Sequence, residues 1–465
     1  MKTPTLISVT LAIICCTFCS LPAFASEKYE QMAKQLLAEL IEIDTTDATG
    51  DNTKAANLLA KTLLDAGFAK EDVQVIEPAP RKGNLVARLR SPNPTKKPIL
   101  LLAHIDVVPA NPDDWTRPPF QLTDEGNIWY GRGVADDKDE AAIHTVNLIR
   151  WKEEGFLPNR DIIIALTADE EGGPHNGVDY LLKHHRELVD AAFVINEGGG
   201  GLMQDGNRLA NSVQAAEKVY QSFTLEVTNP GGHSSRPRAD NAIYQLAKAL
   251  LAIEAYDFPV TLNEVVRANL RQGRVIMEQE QADAVNALLA NPDDPAAIEP
   301  LANIPLYNAL LRTTCVATQL DAGHAENALP QRARATVNCR MMPSADPAEV
   351  QATLARVIDD SDISIVPIQP ADPGPASPLT ETVMDPIFRI TEEMWPGTVV
   401  LPTMSTGATD GKYFRQVGIP VYGTSGIFNE MSGSGAHGRD ERVTPQAFYD
   451  GLEYLNRLVK AYASD

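Results

Sequence analysis

Short apolar runs and helical stretches alternate through the first half of the chain, and this alternation restricts the fold more than any other feature. The helical stretches include 140–154 and 178–188, and the apolar runs are 84–89, 99–103, 162–167 and 192–196. Strands and helices in this order form a sheet covered by helices on both faces, so we predict a three-layer α/β/α domain with a largely parallel sheet. Ligand sites in such sheets lie at the carboxyl ends of the strands.

The pattern changes near residue 216. Strand-like runs then occur at 220–227, 313–319, 333–341 and 363–368, with helical stretches at 242–253 and after Pro347. A proline-rich segment between 367 and 378 leads back to helix–strand alternation. We predict an inserted α+β domain over 217–370, between the two parts of the first domain, 26–216 and 371–465.

The first 25 residues have the pattern of a secretory signal. Lys2 precedes an apolar run over 6–18, and residues 23–25 (Ala-Phe-Ala) provide a cleavage site. The apolar run is too short for a stable membrane anchor. We therefore expect an exported chain, periplasmic or secreted, that begins near Ser26.

Charge and cysteine content exclude several classes of protein. The 465 residues include 40 basic and 62 acidic side chains, a formal net charge of −22. Such a surface repels phosphate backbones and anionic lipid, which argues against nucleic acid and membrane partners. Cys315 and Cys339 alone remain after removal of the signal, too few for a disulfide framework or a cysteine-type zinc site.

Residues suited to metal binding follow the predicted strands. His104 and Asp106 come after the run at 99–103, and residues two apart on a strand share a face. A histidine beside a carboxylate can bind a metal through one ring nitrogen while the acid holds the other. A polar strand cap is the alternative interpretation.

Asp136 ends the glycine-containing loop 131–136, which is followed by a helical stretch. An acid at this position would repel a pyrophosphate, so we interpret Asp136 as a cation ligand rather than as part of a dinucleotide loop. The alternative is that Asp136 caps the next helix.

Acidic residues also follow the next two strands. Asp169, Glu170 and Glu171 come after 162–167, and Glu197 comes after 192–196. Acids that converge can ionise together only with a compensating cation, although a solvated turn is the alternative for the acidic triplet. His233 and His437 lie in loops rich in glycine and serine. The absence of His-Glu-x-x-His, Gly-x-Ser-x-Gly and a phosphate loop argues against thermolysin-like, serine hydrolase and nucleotide-dependent enzymes.

Together these motifs resemble those of the zinc-dependent exopeptidases and amidohydrolases that include aminoacylase, acetylornithine deacetylase, succinyl-diaminopimelate desuccinylase, glutamate carboxypeptidase and carboxypeptidase S. The resemblance extends over the mature chain, and its motifs lie at 103–109, 130–138, 169–171, 232–235 and 436–441. Trp115 and Pro119-Phe120 are most similar to the carboxypeptidase S branch, whereas Asp139 replaces a glycine that is common in the family. The resemblance implies a di-zinc α/β/α domain with an inserted ferredoxin-like lid and dimerisation domain.

By position, the resemblance also implies roles for individual residues. Asp136 would bridge two zinc ions, with cobalt or manganese as alternatives, and the remaining ligands would be His104 and Glu197 on one metal and Glu171 and His437 on the other. Asp106 would hold the ring of His104, and Glu170 would be the general base. A cis peptide bond between Asp136 and Asp137 is a further implication.

Three residues of the inserted domain match positions that contact substrate in the family. His233 resembles an oxyanion-stabilising histidine that comes from the partner subunit in dimeric relatives, so we expect a homodimer. Asn327 and Arg340 resemble residues that bind a free carboxylate, although a solvated strand charge is the alternative for Arg340.

The sequence therefore predicts a carboxypeptidase or dipeptidase that releases an amino acid from a small peptide. An aminoacylase that cleaves N-acyl amino acids by the same chemistry is the alternative. An inactive metal- or peptide-binding relative is a third hypothesis, and the presence of Glu170 argues against it because a pure binding protein needs no base.

The two remaining cysteines lie 12 positions on either side of Asn327, on adjacent predicted strands. A symmetric hairpin would place Cys315 opposite Cys339, close enough for a disulfide, and export favours oxidation. A slip of one residue would send the two side chains to opposite faces, where free cysteines are common core residues.

Overall fold

The computed structural model describes residues 21–464, with side chains from residue 27 onward. The predicted signal peptide at 1–25 therefore lies outside the fully described residues. The strands are β1 (Val73–Ile76), β2 (Asn84–Leu89), β3 (Ile99–His104), β4 (Thr123–Asp124), β5 (Trp129–Tyr130), β6 (Ile162–Thr167), β7 (Phe193–Asn196), β8 (Gly201–Gln204), β9 (Asn207–Glu217), β10 (Val219–Thr228), β11 (Gly232–His233), β12 (Thr314–Ala322), β13 (Ala328–Leu329), β14 (Arg332–Met341), β15 (Ser364–Pro367), β16 (Val399–Ser405), β17 (Val421–Gly423), β18 (Phe428–Glu430) and β19 (Arg442–Val443).

Helices separate several of these strands, and others precede the first strand or follow the last. They are α1 (Leu21–Ile41), α2 (Asn52–Asp65), α3 (Lys138–Glu153), α4 (Gly177–His184), α5 (Arg186–Val189), α6 (Ala242–Glu254), α7 (Glu264–Gly273), α8 (Gln279–Ala290), α9 (Pro295–Ala302), α10 (Pro305–Leu311), α11 (Pro347–Ile358), α12 (Glu381–Met394), α13 (Gly411–Gln416) and α14 (Pro445–Tyr462). Among the described helices, none has both the length and the apolar composition of a membrane crossing.

The larger sheet has ten strands in the order β1-β2-β6-β3-β7-β17-β9-β8-β18, with β16 also paired to β9. Its centre, β6-β3-β7-β17, is parallel, but β1–β2, β2–β6 and β8–β9 are antiparallel. The predicted sheet was largely parallel, and the observed sheet is mixed. The difference at β8–β9 follows from the connection, because a turn of two residues, Asp205 and Gly206, can join only antiparallel strands.

Alternation along the buried strands produces the predicted three layers. On β3, Ile99, Leu101 and Ala103 pack in one apolar cluster with residues of α1, α2, α3 and α14. Leu100 and Leu102 point to the opposite face, where they pack with residues of α4 and α13. Helices therefore cover both faces of the sheet, and the predicted fold class is confirmed.

The second sheet is antiparallel, with the order β12-β14-β10-β15, and α6 and α11 pack against it. The chain order β10-α6-β12-β14-α11-β15 and this strand order are those of a ferredoxin-like fold. The disulfide between Cys315 and Cys339 joins β12 to β14, where the two residues lie opposite each other. The hairpin prediction is thus confirmed at this position.

Four helices of the inserted segment, α7 to α10, pack with the larger sheet rather than with the smaller one. Val266, Leu270, Leu288, Leu301 and Leu311 belong to the same apolar cluster as the strands of the larger sheet. The boundaries at 217 and 370 stay predictions, but the segment between them is not one compact unit. Sequence patterns identify these helices as amphipathic and cannot indicate which sheet they cover.

Candidate metal centre

Three neighbouring parallel strands bring the predicted ligands to one edge of the larger sheet. β3 ends at His104, which lies opposite Thr167 at the end of β6. The acids at 169–171 follow β6, and Glu197 follows β7, which pairs with the other side of β3. Because parallel strands end at the same edge, the side chains after them converge.

His104 is buried, and both of its ring nitrogens face oxygen atoms. Nδ1 lies 3.1 Å from the backbone carbonyl oxygen of Asp106, and Nε2 lies 3.0 Å from Oδ1 of Asp136. A neutral imidazole has a single N–H, so it can donate to only one of these oxygens. If Nδ1 donates to the carbonyl, Nε2 presents a lone pair toward Asp136, and that pair of atoms is suited to share a cation.

Asp106 acts differently from the expectation. Its carboxylate is 3.7 Å from Nδ1 of His104, whereas its backbone carbonyl makes the close contact to the ring. The carboxylate instead accepts hydrogen bonds from the backbone N–H groups of Glu170, at 3.1 Å, and Glu171, at 2.9 Å. Asp106 thus fixes the turn that carries both glutamates as well as the orientation of His104.

Asp136 lies between the two predicted histidine ligands. Its Oδ1 faces His104, and its Oδ2 is 3.2 Å from Nε2 of His437. The same nitrogen of His437 is 2.9 Å from Oε1 of Glu171. One carboxylate that presents a different oxygen to each of two histidines has the arrangement expected of a bridging ligand. The peptide bond that follows Asp136 is cis, as the family resemblance implied.

The donor atoms form two overlapping groups. His104, Asp136 and Glu171 place one ligand atom each within 4.8 Å of one another, and so do His104, Glu170 and Glu197. All five predicted ligands are therefore brought together, and Glu170 lies among them. Proximity alone does not distinguish the base from the ligands, so the division of roles between Glu170 and Glu171 stays a prediction.

The buried carboxylates of this cluster need a positive charge nearby if they are to ionise together. Burial raises the pKa of Glu197 and of Glu170 well above the ordinary value, and for Glu170 repulsion from Glu197 adds to the effect. Burial acts in the same direction on Asp136, but the hydrogen bonds with His104 and His437 outweigh it and lower the pKa of Asp136. Within residues 27–464, no lysine or arginine forms an ion pair with Asp136, Glu170, Glu171 or Glu197, and the recorded partners of Asp136 and Glu171 are histidines. Oxygen and imidazole ligands without a lysine or arginine partner fit divalent metal ions such as zinc.

The structure separates the three substrate residues predicted in the inserted domain. His233 pairs with Ala328, and the N–H of Ser234 donates to the carbonyl oxygen of Asn327, so His233 and Asn327 lie together in an exposed pair of loops. Arg340 lies near the other end of β14, where it stacks on the ring of Tyr220 at 4.8 Å. In the described part of the chain, no hydrogen bond or ion pair connects any of the three to the carboxylate cluster.

Two buried ion pairs that the sequence analysis missed hold the site. Glu441 pairs with Arg132 at 2.6 Å and accepts from the N–H groups of Gly133 and Ala135, which fixes the loop before Asp136. Lys82 pairs with Asp169 at 2.6 Å next to the two glutamates. Both pairs join residues far apart in the chain, so spacing in the sequence gives no signal for them. The sequence analysis included Glu441 only as part of the motif 436–441, which also contains His437.

A third acid, Glu217, supports the loop 407–410. Glu217 accepts hydrogen bonds from the backbone N–H and the hydroxyl of Thr409, at 3.0 and 2.7 Å. Asp410 accepts from Asn176, and burial raises the pKa of Asp410 to about 7. The loop is thereby attached to the sheet edge that carries Glu170.

Comparison with known proteins decides the family. The model of peptidase family M20/M25/M40 matches residues 100–461, which include all the predicted metal ligands and Glu170. The chain belongs to this family. The resemblance found in the sequence is confirmed, and the chain is a hydrolase of the metallopeptidase type.

Relatives in family M20/M25/M40 have several activities. The chain is 26% identical over 467 residues to the human N-fatty-acyl-amino acid synthase/hydrolase PM20D1, covering 96% of this chain and 90% of that one. It is 30% identical over 392 residues to the probable carboxypeptidase S-like 2 of Dictyostelium discoideum, covering 81% and 74%. The fold matches the M20 metallo-carboxypeptidase Sso-CP2 from Sulfolobus solfataricus, with a TM-score of 0.68, 21% identity, and coverage of 93% and 99%.

Proposed function

We propose that the protein is a di-zinc amidohydrolase that releases an amino acid with a free carboxylate from a small peptide or an N-acyl amino acid. The observation that carries the proposal is the position of Asp136, whose two carboxylate oxygens face His104 and His437 while Glu170 and Glu171 lie beside them. Oxygen and nitrogen donors in this arrangement would hold two ions, with Asp136 shared between them.

The chain's own groups account for the proton transfers. When bound, paired zinc ions lower the pKa of water and polarise a carbonyl group. Glu170 takes the proton of the attacking water and then donates it to the nitrogen of the leaving amino acid, which is the role of a general base followed by a general acid. Hydrogen bonds from the backbone N–H groups of Glu170 and Glu171 to Asp106 hold the turn from which this carboxylate extends.

Two classes of substrate contain an amide bond whose nitrogen belongs to a leaving amino acid. Carboxypeptidase S-like relatives favour a peptide, and the relative named N-fatty-acyl-amino acid synthase/hydrolase favours an N-acyl amino acid. In both, Arg340 is the proposed partner of the free carboxylate, and Asn327, which lies with His233 away from Arg340, would join this contact from the partner subunit of the proposed dimer. An inactive binding protein is disfavoured, since Glu170 lies within the cluster, where a base is useful only for chemistry.

The proposal is tested by comparing two neighbouring glutamates. Glu170→Gln should abolish turnover of dipeptides and N-acyl amino acids while the chain keeps close to two metal ions, because a base binds no metal. Glu171→Gln should lose both turnover and part of the metal, since a ligand oxygen is replaced. Activity and metal content measured on the same preparations check both expectations.

Metal removal gives the matching control. Chelation should inactivate the wild type, and zinc, cobalt or manganese should restore activity to it but not to Glu170→Gln. Activity that survives complete metal removal would refute the proposed function. Metal loss from Glu170→Gln but not from Glu171→Gln would show that the two roles are exchanged.

A further inference from the structure

A second cavity, of about 550 Å³, lies beside the cavity of about 300 Å³ that contains Asp136 and Glu197. The two cavities share Gly198, Leu202 and Ser212 in their walls. Since Gly198 directly follows Glu197, the larger cavity begins one residue from the cluster. The larger cavity therefore adjoins the space in which the amide group of a substrate would lie.

The larger cavity lies between helices α7 to α10 and strand β16, and its lining is mainly apolar. Leu202, Ile276, Leu306, Leu310, Leu401 and Met404 all contribute to it. Of the residues that line it, Glu278 alone carries a charge at neutral pH. A cavity with this lining favours an apolar ligand and disfavours a charged peptide chain.

Specific contacts between α7 and β16 fix the distance between these two walls of the cavity. The buried side chain of Asn269 on α7 donates to the carbonyl oxygen of Pro402 on β16 at 2.8 Å. Gly273 faces the same strand, and a Cβ atom there would lie 3.2 Å from Leu401. These contacts fix the spacing of helix and strand, so the cavity is formed before a ligand enters.

The size of the cavity indicates the kind of ligand. At ~30 Å³ per water molecule, 550 Å³ is the volume of about 18 waters, well above that of any single amino-acid side chain. Leu306 and Met431, which also line it, are 59% and 61% exposed. An apolar interior that reaches an exposed apolar rim suits a long unbranched chain.

We propose that this cavity binds the alkyl chain of an N-acyl amino acid whose amide group lies at the carboxylate cluster. The inference rests on the proposed function and adds to it a substrate preference, long-chain acyl groups, and the helices that create it. The apolar side chain of a peptide is the competing occupant, and the test below separates the two.

The test is a series of N-acyl derivatives of one amino acid, with unbranched acyl chains of 2 to 16 carbon atoms, assayed with the zinc-loaded enzyme. Each buried methylene should raise kcat/KM by about fourfold until the cavity is filled. The gain should appear mainly in KM, because contacts to the alkyl chain are the same in the ground and transition states. Dipeptides with large apolar side chains should show no comparable gain.

Two variants locate the effect. Leu306→Glu and Ile276→Glu place a charge at the rim, and each should reduce the ratio of kcat/KM for dodecanoyl over acetyl substrates by at least tenfold. Leu157→Glu is the matched control, since Leu157 is an exposed leucine outside the cavity, and its ratio should equal that of the wild type. Two rim positions are used so that a folding defect in one does not decide the result.

Binding without turnover is the second measurement. N-dodecanoyl amino acid should bind to Glu170→Gln by calorimetry, and Leu306→Glu in the same background should weaken this binding at least tenfold. A wild-type rate that does not depend on acyl length, or rim variants with an unchanged ratio, would overturn the inference while the proposed function stands. No hydrolysis of any amide by the metal-loaded enzyme would instead refute the proposed function.

Discussion

Asp169 determines where Glu170 and Glu171 lie, although it belongs to neither group of metal donors. Its backbone has a φ of 61°, a left-handed conformation that residues other than glycine seldom adopt. One carboxylate oxygen accepts from Lys82, and the other accepts from the N–H of His175 at 3.1 Å. The side chain is fully buried, so the ammonium group of Lys82 provides its compensating charge.

Lys82→Met should leave this buried carboxylate unpaired. We expect the free energy of unfolding to fall by about 3–5 kcal/mol, the usual effect of removing one partner of a buried pair, and kcat to fall because the turn with Glu170 shifts. Urea unfolding at pH 7 and steady-state kinetics measure the two effects.

Two further variants make the test of Lys82 specific. The double variant Lys82→Met/Asp169→Asn should recover part of the stability, since it removes the unpaired charge. Lys61→Met, at an exposed ion pair with Asp65, should leave both quantities near wild type. Unchanged stability in Lys82→Met would contradict the assigned role.

At the scale of elements, the hairpin of β12 and β14 depends on one irregularity. Nearer the turn, Gln319 lies opposite Thr336. If this register continued without change, Cys315 would lie opposite Arg340. A bulge between Ala317 and Gln319 shifts the register by one residue and places Cys315 opposite Cys339. The disulfide therefore requires the extra residue, Thr318.

The chain beginning at Ser26 should contain no free thiol when it is denatured without reductant, and two after reduction. Thiol titration of both samples checks this expectation. Replacing both cysteines by serine should lower the free energy of unfolding by about 3 kcal/mol, as expected for a closed loop of this length. Two free thiols in the unreduced sample would contradict the bonded pair. A disulfide supports the proposal of export, because oxidising compartments preserve such bonds.

Some features of the fold and of the site could be predicted from the sequence, and others could not. The strands and the ligands after them were predictable because alternation and strand ends are local properties: β2 and β6 have the predicted bounds, and His104, Asp136 and Glu197 do converge. The position of Cys339 opposite Cys315 was predicted from a symmetric loop, whereas the structure reaches it through a bulge that no local pattern indicates. The packing of α7 to α10 and the pairing of Lys82 with Asp169 depend on contacts between distant segments, which one sequence does not encode locally.

At the scale of the whole molecule, the inserted sheet has an exposed edge. β12 is the first strand in the sheet order, and Val316 and Leu320 on it are largely exposed. An apolar edge strand is a surface that proteins normally cover by pairing. This edge, together with exposed Leu251 on α6, supports the proposal of a two-fold homodimer through the inserted domain.

His233→Ala should lower kcat by about 10²-fold if this histidine stabilises an oxyanion. Mixing it with an equal amount of Glu171→Gln should restore about a quarter of the wild-type activity, because half of the randomly formed dimers then contain one complete site. Light scattering of the wild type should give the mass of two chains. No recovery on mixing, with the mass of one chain, would show that His233 does not act across a dimer.

The packing of α7 to α10 on the larger sheet has a mechanical consequence. The chain passes between the two sheets four times, after β9, after α6, after α10 and after β15. These passages are bonded to one another: Lys218 donates to the carbonyl oxygen of Arg312, Thr261 to that of Leu311, and Gln221 to that of Gln369. A single or double tether would let the smaller sheet swivel. Four tethers that are bonded to one another oppose this rotation.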